Sequence, residues 1–337
     1  MRYQRALAAG LAALTVAATP APAAGADPAT CREVRAPVTV LATRHTVHGQ
    51  LCTPAGGADA VQLLIPGATY NSSYWDFPDG RHSFRAAQNR AGFATLAVDR
   101  LGSGRSSRPP APLLTALAQA DAMHQVVRGL RSGAYGPRFD KVVIGGHSLG
   151  AAVAAIEAGA YRDVDGVLLT GMTHRINPAG VAASFANFRP ANLDPKFGPL
   201  FPVGYLTTAP GTRYASFHAP APSASDVMAV EEATKDVFSP TEAADGLGVA
   251  VLLPFSRNIT APVMTAVGGR DAAVCGPLAT DCSTALTLLA AERPYFGPQA
   301  RLRAYVLPDY GHSINLAPHA GAYYDAVADW ARTEVGP

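Results

Sequence analysis

Gly146-His147-Ser148-Leu149-Gly150 is the stretch with the clearest chemical content. It stands between the apolar run Val142-Val143-Ile144 and an alanine-rich segment, Ala151 to Ala160, that reads as helix. A sharp turn from a buried strand into a helix would hold the Ser148 hydroxyl proud of both. Gly146 and Gly150 permit the close strand–helix approach that such a turn requires, and the helix N-terminus favours a developing anion. A serine hydroxyl is a poor nucleophile until a base accepts its proton, so the pattern calls for a histidine elsewhere in the chain. A structural turn serine is the bland alternative; the position between strand and helix favours the nucleophile.

Several apolar runs alternate with helix-like segments around this motif. Val38 to Leu41, Thr46 to Cys52, Val61 to Ile65, Phe93 to Val98, Val167 to Leu169, Val263 to Val267 and Leu302 to Val306 read as strands. Helices are expected over Phe84 to Arg90, through Leu113, Leu117, Val127 and Leu130, and over Ala320 to Ala331. Unbroken apolar strands separated by helices indicate an α/β fold with a mostly parallel, doubly wound sheet covered on both faces. The alternation breaks between residues 173 and 258, a segment rich in Pro and aromatics with no convincing strand, where Ser225 could cap a helix carrying Val227, Val230, Val237 and Phe238. An insertion of that length predicts a lid over the sheet. The expected organisation is therefore a core in two parts, 27–172 and 259–337, interrupted by the lid.

The 337 residues are 48% apolar and 15% charged, with a formal net charge of +2. That composition supports a sizeable core and excludes wholesale disorder. Only Lys141, Lys196 and Lys235 are lysines, and no basic stripe suited to nucleic acid is present. Residues 1–26 combine Arg2 and Arg5, an uncharged Ala- and Leu-rich stretch, and Ala-x-Ala exits at Ala21 to Ala23 and Ala24 to Ala26. This predicts a removed secretory signal peptide, since the stretch is too short for a membrane anchor. Export predicts two disulfides among Cys31, Cys52, Cys275 and Cys282; of three connectivities, the nearest-neighbour pairs Cys31–Cys52 and Cys275–Cys282 are the choice.

With the Ser148 motif and the loop Asp99-Arg100-Leu101-Gly102-Ser103-Gly104-Arg105-Ser106, the chain resembles the α/β-hydrolase family over nearly all of its mature length. The resemblance implies Ser148 as nucleophile and a base in the loop after the last strand, where Leu307-Pro308-Asp309-Tyr310-Gly311-His312-Ser313 supplies His312. His147, inside the motif, should point away; His174 and His319 read as packing or surface groups. The implied acid is Asp271, after the strand Val263 to Val267, because the preceding strand leads into a stretch without a carboxylate. Asp309 is the rival, too close to His312 to turn back onto it. Pro66-Gly67-Ala68 stands where the family usually has His-Gly-x, so the backbone N–H groups of Leu149 and of Ala68, with neighbouring Thr69 as the alternative to Ala68, are the implied oxyanion donors.

Tyr70 and Trp75 follow that loop and are candidates for a substrate pocket, with Phe185, Phe188 and Phe201 from the lid; ordinary packing is the alternative. Asp and His residues show no metal-ligand spacing, Gly102-Ser103-Gly104 lacks the Lys-Ser/Thr of a phosphate loop, and no dinucleotide fingerprint is present. No cofactor or metal is expected. The reading is a secreted serine hydrolase of uncharged, fairly hydrophobic carboxylic esters or lactones. Acyl transfer or thioester cleavage on the same residues is the first alternative, and a secreted binding module without turnover is the second.

Overall fold

The apolar runs become the interior of one eight-stranded sheet in the computed structural model, which describes residues 29–222, 225–253 and 255–336. The expected signal segment, 1–26, lies outside the described residues. In chain order the sheet strands are β1 (Thr30–Val40), β2 (Thr43–Thr53), β3 (Ala60–Ile65), β4 (Ala94–Val98), β5 (Lys141–His147), β6 (Gly166–Thr170), β9 (Val263–Gly268) and β10 (Arg303–Leu307). Their spatial order is β1-β2-β4-β3-β5-β6-β9-β10. Strand β2 runs antiparallel to both neighbours, and the remaining pairings are parallel. Every residue of β3, β4, β6 and β9 is buried, as a sheet covered on both faces requires.

The two faces are read from side-chain alternation. Val61, Leu63 and Ile65 of β3 pack in one cluster with α2 (Ala116–Ser132) and α3 (Leu149–Tyr161), whereas Ala60 and Leu64 pack in another with α1 (Phe84–Arg90) and α8 (Ala320–Glu334). Ser83 caps α1 by accepting from Ala86 N–H, and Thr115 caps α2 by accepting from Ala118 N–H. Gly133, at φ +75°, ends α2 in the left-handed conformation that glycine adopts without a Cβ clash. A further helix, α7 (Ala285–Glu292), packs on β10.

Between β6 and β9 the chain forms α4 (Pro178–Phe185), α5 (Ser225–Thr234) and α6 (Pro240–Asp245). It also contains two three-residue antiparallel strands, β7 (Phe188–Pro190) and β8 (Leu206–Thr208), which the sequence did not reveal. Such short strands have no room for a readable alternation. Helix α5 stops at Thr234, so Val237 and Phe238 fall outside it; Phe238 instead bridges to Leu206.

The four cysteines pair as Cys31–Cys52 and Cys275–Cys282, the nearest-neighbour connectivity. The first joins residues directly opposite one another on β1 and β2. No helix among the described residues is long and apolar enough to cross a membrane.

One backbone approach governs the corner between β5 and α3. A Cβ on Gly146 would lie 2.0 Å from the Gly150 carbonyl oxygen, and one on Gly150 would lie 2.4 Å from the Ile65 carbonyl oxygen. Both contacts are with backbone, which cannot swing aside as a side chain can. Gly146→Ala should therefore lower the unfolding free energy by about 3 kcal/mol, the upper end of ordinary overpacking costs, as measured by urea titration.

Candidate active site

Strand β5 ends at His147, and the chain turns at Ser148 into α3. Ser148 sits at φ +54° and ψ −120°, a conformation that costs a non-glycine residue about 1–3 kcal/mol. The turn is held by Ser148 N–H donating to the Thr170 carbonyl at 2.7 Å and Ala151 N–H donating to the Ser148 carbonyl at 2.9 Å. Leu149 is the first residue of α3, so its N–H has no carbonyl in a preceding turn and is free to face a ligand.

His312 and Asp271 come from the loops after β10 and β9. These loops are fastened together: Arg270 N–H donates to the Tyr310 carbonyl at 2.8 Å, and Gly269 N–H to the Leu307 carbonyl at 2.9 Å. A Cβ on Gly268 would lie 2.0 Å from the Gly311 carbonyl oxygen, so glycine is required there. His312 Nδ1 meets Asp271 Oδ2 at 2.6 Å. Asp271 is fully buried, and its other carboxylate oxygen accepts from Ala273 N–H at 2.9 Å. Asp309 is instead exposed and paired with Arg270 at 2.9 Å. Ser148 and His312 line one cavity together with Ala68 and Leu149.

His147 does not point away from this constellation. Its buried ring stacks on Tyr74 with centroids 4.4 Å apart and lies 4.8 Å from the His312 ring. Burial, with the neighbouring His312 and His218, holds its pKa well below the ordinary 6.5, so it is a neutral spacer behind His312. His174 is buried against Glu292 and Ser256, while His319 opens α8 at the surface.

Two buried ion pairs hold the loop that carries Ala68. Arg100 donates from Nε to the Pro66 carbonyl at 3.1 Å and from Nη2 to the Gly67 carbonyl at 3.2 Å, while its Nη1 meets Glu242 at 2.5 Å. Both side chains are inaccessible to solvent. Beyond Gly67, Thr69 adopts φ +60°, and its hydroxyl accepts from Arg213 at 3.1 Å. Arg213 also pairs with Glu231 at 3.2 Å and stands 4.4 Å over the Tyr70 ring. Glu231 in turn meets His218 Nε2 at 2.7 Å, and His218 Nδ1 meets the Tyr310 hydroxyl at 2.8 Å, close to His312. Sequence reasoning missed Arg100, Glu242, Arg213 and Glu231. Arg100 lay within the loop already singled out; the other three lay in the insertion with no spacing signal.

The cavity has a volume of about 170 Å³. From the insertion, Phe185, Phe188, Phe217, Phe238, Leu247 and Val251 border it, and no Asp, Glu, Lys or Arg does so among the described residues. Phe185 and Phe188, two of the candidates for a pocket, thus border this cavity, whereas Tyr70 and Trp75 do not. The Tyr70 hydroxyl is turned inward to Glu231 and to Ser313 Oγ, the latter at 2.7 Å, and Trp75 is buried against Phe84. A short helical turn, Ser72–Trp75, redirects the chain toward the α1–α8 layer, so aromatic type alone misled. Phe201 likewise packs on Phe197 and Tyr205.

A family model described as "Alpha/beta hydrolase family" matches residues 62–326. The chain belongs to the alpha/beta hydrolase family. Among solved structures it is similar to E-2-(acetamidomethylene)succinate hydrolase, with a TM-score of 0.58, 19% identity, and coverage of 91% of this chain and 100% of that one. A thermophilic esterase from Thermogutta terrifontis is similar with a TM-score of 0.56 and 23% identity, covering 89% of this chain and 98% of that one. The enol-lactonase from Burkholderia xenovorans LB400 gives a TM-score of 0.57 and 17% identity over 87% of this chain and 98% of that one. At these identities the likeness is one of fold. No match was found among curated proteins.

Within this hydrolase fold the two ion pairs are open to direct test. Burial alone would raise Glu231, but Arg213 and His218 bring its pKa from the ordinary 4.5 down to about 2. A depressed acid contributes stability that is whole above pH 4.5 and is lost as pH falls toward 2. In Glu231→Gln, urea titrations across that range should show a shallower acid limb than in the parent protein. Separately, Arg100→Met strands the Glu242 charge and should cost about 3–5 kcal/mol of stability. The double variant Arg100→Met/Glu242→Leu should recover part of that loss, because no buried charge remains even though Ser239 N–H and the Pro66 and Gly67 carbonyls lose their partners.

Proposed function

We propose that this chain is an exported serine hydrolase of small, uncharged carboxylic esters or lactones, with Ser148, His312 and Asp271 as its triad. The observation that carries the reading is the 2.6 Å contact between His312 and buried Asp271 on the cavity that Ser148 also lines. With Nδ1 engaged by Asp271, Nε2 is the nitrogen left to accept the serine proton. Ser148 Oγ then adds to the ester carbonyl, while the N–H groups of Ala68 and Leu149 stabilise the oxyanion, each contributing about 2.7–4 kcal/mol. The ester C–O bond breaks and the alcohol takes its proton from His312. Water repeats the sequence on the acyl-enzyme: it gives a proton to His312, adds to the acyl carbon, and the acid leaves as Ser148 regains its hydrogen. Because His147 is neutral, its ring adds no positive charge to oppose the imidazolium formed in each step.

An uncharged lining supports an uncharged substrate, since a buried ionic group there would have no partner. The cavity, at about 170 Å³, is smaller than pockets that take drug-sized ligands and supports short acyl or alcohol groups. Residues 173–258 supply most of its roof and act as the lid in this reading. Two disulfides support an oxidising destination. The similar structures named as an esterase and an enol-lactonase accord with ester chemistry.

On a series of p-nitrophenyl esters, kcat/KM should be highest for the shortest acyl chains, and Ser148→Ala should abolish both turnover and labelling by a fluorophosphonate. Retained labelling in Ser148→Ala, or a folded parent protein that refuses the probe, would overturn the assignment. The restabilised Arg100→Met/Glu242→Leu variant should still lose about tenfold or more in kcat, because the Pro66 and Gly67 carbonyls no longer have a fixed donor.

A further inference from the structure

On the α2–α3 layer, away from the Ser148 cavity, three side chains converge that share no sequence spacing. His124 comes from α2, Glu157 from α3, and Asp163 from the turn after α3. One donor atom from each lies within 4.8 Å of the others. His124 Nδ1 is 2.9 Å from Asp163 Oδ2 and 3.7 Å from Glu157 Oε1. Ligands held about 2.0–2.2 Å from a tetrahedral zinc stand roughly 3.3–3.6 Å apart, so these separations bracket that geometry.

The second observation concerns Glu157. Its side chain is fully buried, faces the Asp163 carboxylate, and among the described residues no N–H or O–H group donates to either of its oxygens. A buried carboxylate facing a second carboxylate is costly unless a proton or a cation stands with it.

We propose that His124, Glu157 and Asp163 form a zinc site that clamps α2 to the end of α3. One imidazole nitrogen and two carboxylate oxygens suit Zn²⁺ better than Ca²⁺, which takes oxygen ligands alone. The two carboxylates balance its charge. His124 and Asp163 also border a surface recess, from which an ion would reach them. The His124 ring is stacked flat on Tyr161 at 3.8 Å, and Arg131 holds the Asp163 carbonyl at 2.6 Å, so two ligands are positioned in advance. Arg131 also pairs with Asp165 at 2.6 Å, which offsets its repulsion of a cation. Glu157 lies two helical turns beyond Leu149, about 12 Å along α3, so the clamp stabilises the helix behind Ser148 and takes no part in ester cleavage.

The test uses the full mature chain, freed of metal with a chelator and titrated with zinc chloride by calorimetry, alongside thermal unfolding. One zinc per chain and a rise of roughly 5 °C in Tm at saturating zinc are expected. Ser148→Ala should bind zinc equally, which separates this site from the proposed triad. Glu157→Gln and, as a second variant of near-native shape, Asp163→Asn should each weaken binding at least tenfold. Cobalt(II) should give the visible absorption of a four-coordinate site in the parent protein and not in Glu157→Gln. Failure of the parent to bind zinc stoichiometrically, or undiminished binding in folded Glu157→Gln and Asp163→Asn, would overturn the proposal.

Discussion

The backbone of Ser148 holds a conformation that its side chain disfavours, and most of the surrounding structure exists to keep it there. A residue at φ +54° relaxes unless neighbouring elements over-determine it. Strand β5 fixes one side through its pairing with β3 and β6, and the first turn of α3 fixes the other. Those elements can meet only because Gly146 and Gly150 have no side chains to hold them apart. The same device recurs at Gly268, where the loops bearing Asp271 and His312 touch backbone to backbone. Close approach of main chains is thus the shared means by which groups far apart in sequence come within reach of one cavity.

Charge is handled differently inside the cavity and behind it. Among the described residues the lining carries no Asp, Glu, Lys or Arg, and burial keeps His147 neutral beside His312. Behind the lining, Arg100–Glu242 and Arg213–Glu231 are fully buried pairs whose arginines bond to the loop from Pro66 to Thr69. Such pairs contribute little net stability against an apolar replacement, but removing one partner is expensive. Their geometric effect is specific: both acids come from the insertion, so the ordering of that segment and of the Ala68 loop are coupled. Helix α6 illustrates the coupling, since Glu242 also closes its own N-terminus by accepting from Ser239 N–H at 2.8 Å. The residues that follow Glu242, Ala243, Gly246 and Leu247, border the cavity.

What the amino-acid sequence determined by itself was the part governed by local pattern. Short, largely apolar runs such as Val61 to Ile65, interrupted only by Gln62 and ended by Pro66-Gly67, read as strands buried on both faces, and helical spacing with capping residues set α1 and α2. Glycines flanking Ser148 marked the corner, and the chain order of Ser148, Asp271 and His312 followed from the resemblance those motifs support. The even cysteine count and short separations led to the observed pairing. Tertiary structure alone decided whatever depends on distant segments meeting. Glu242 and Glu231 lie more than a hundred residues from the loop they help to hold, and no periodicity announces such partners. Trp75 turns inward at the end of a short helical turn, and Tyr70, ahead of that turn, is held inward by Glu231 and Ser313, although aromatic character suits core and pocket equally. His147 comes to rest against His312 for the same reason: packing chooses a side chain's neighbours only after the whole sheet has formed.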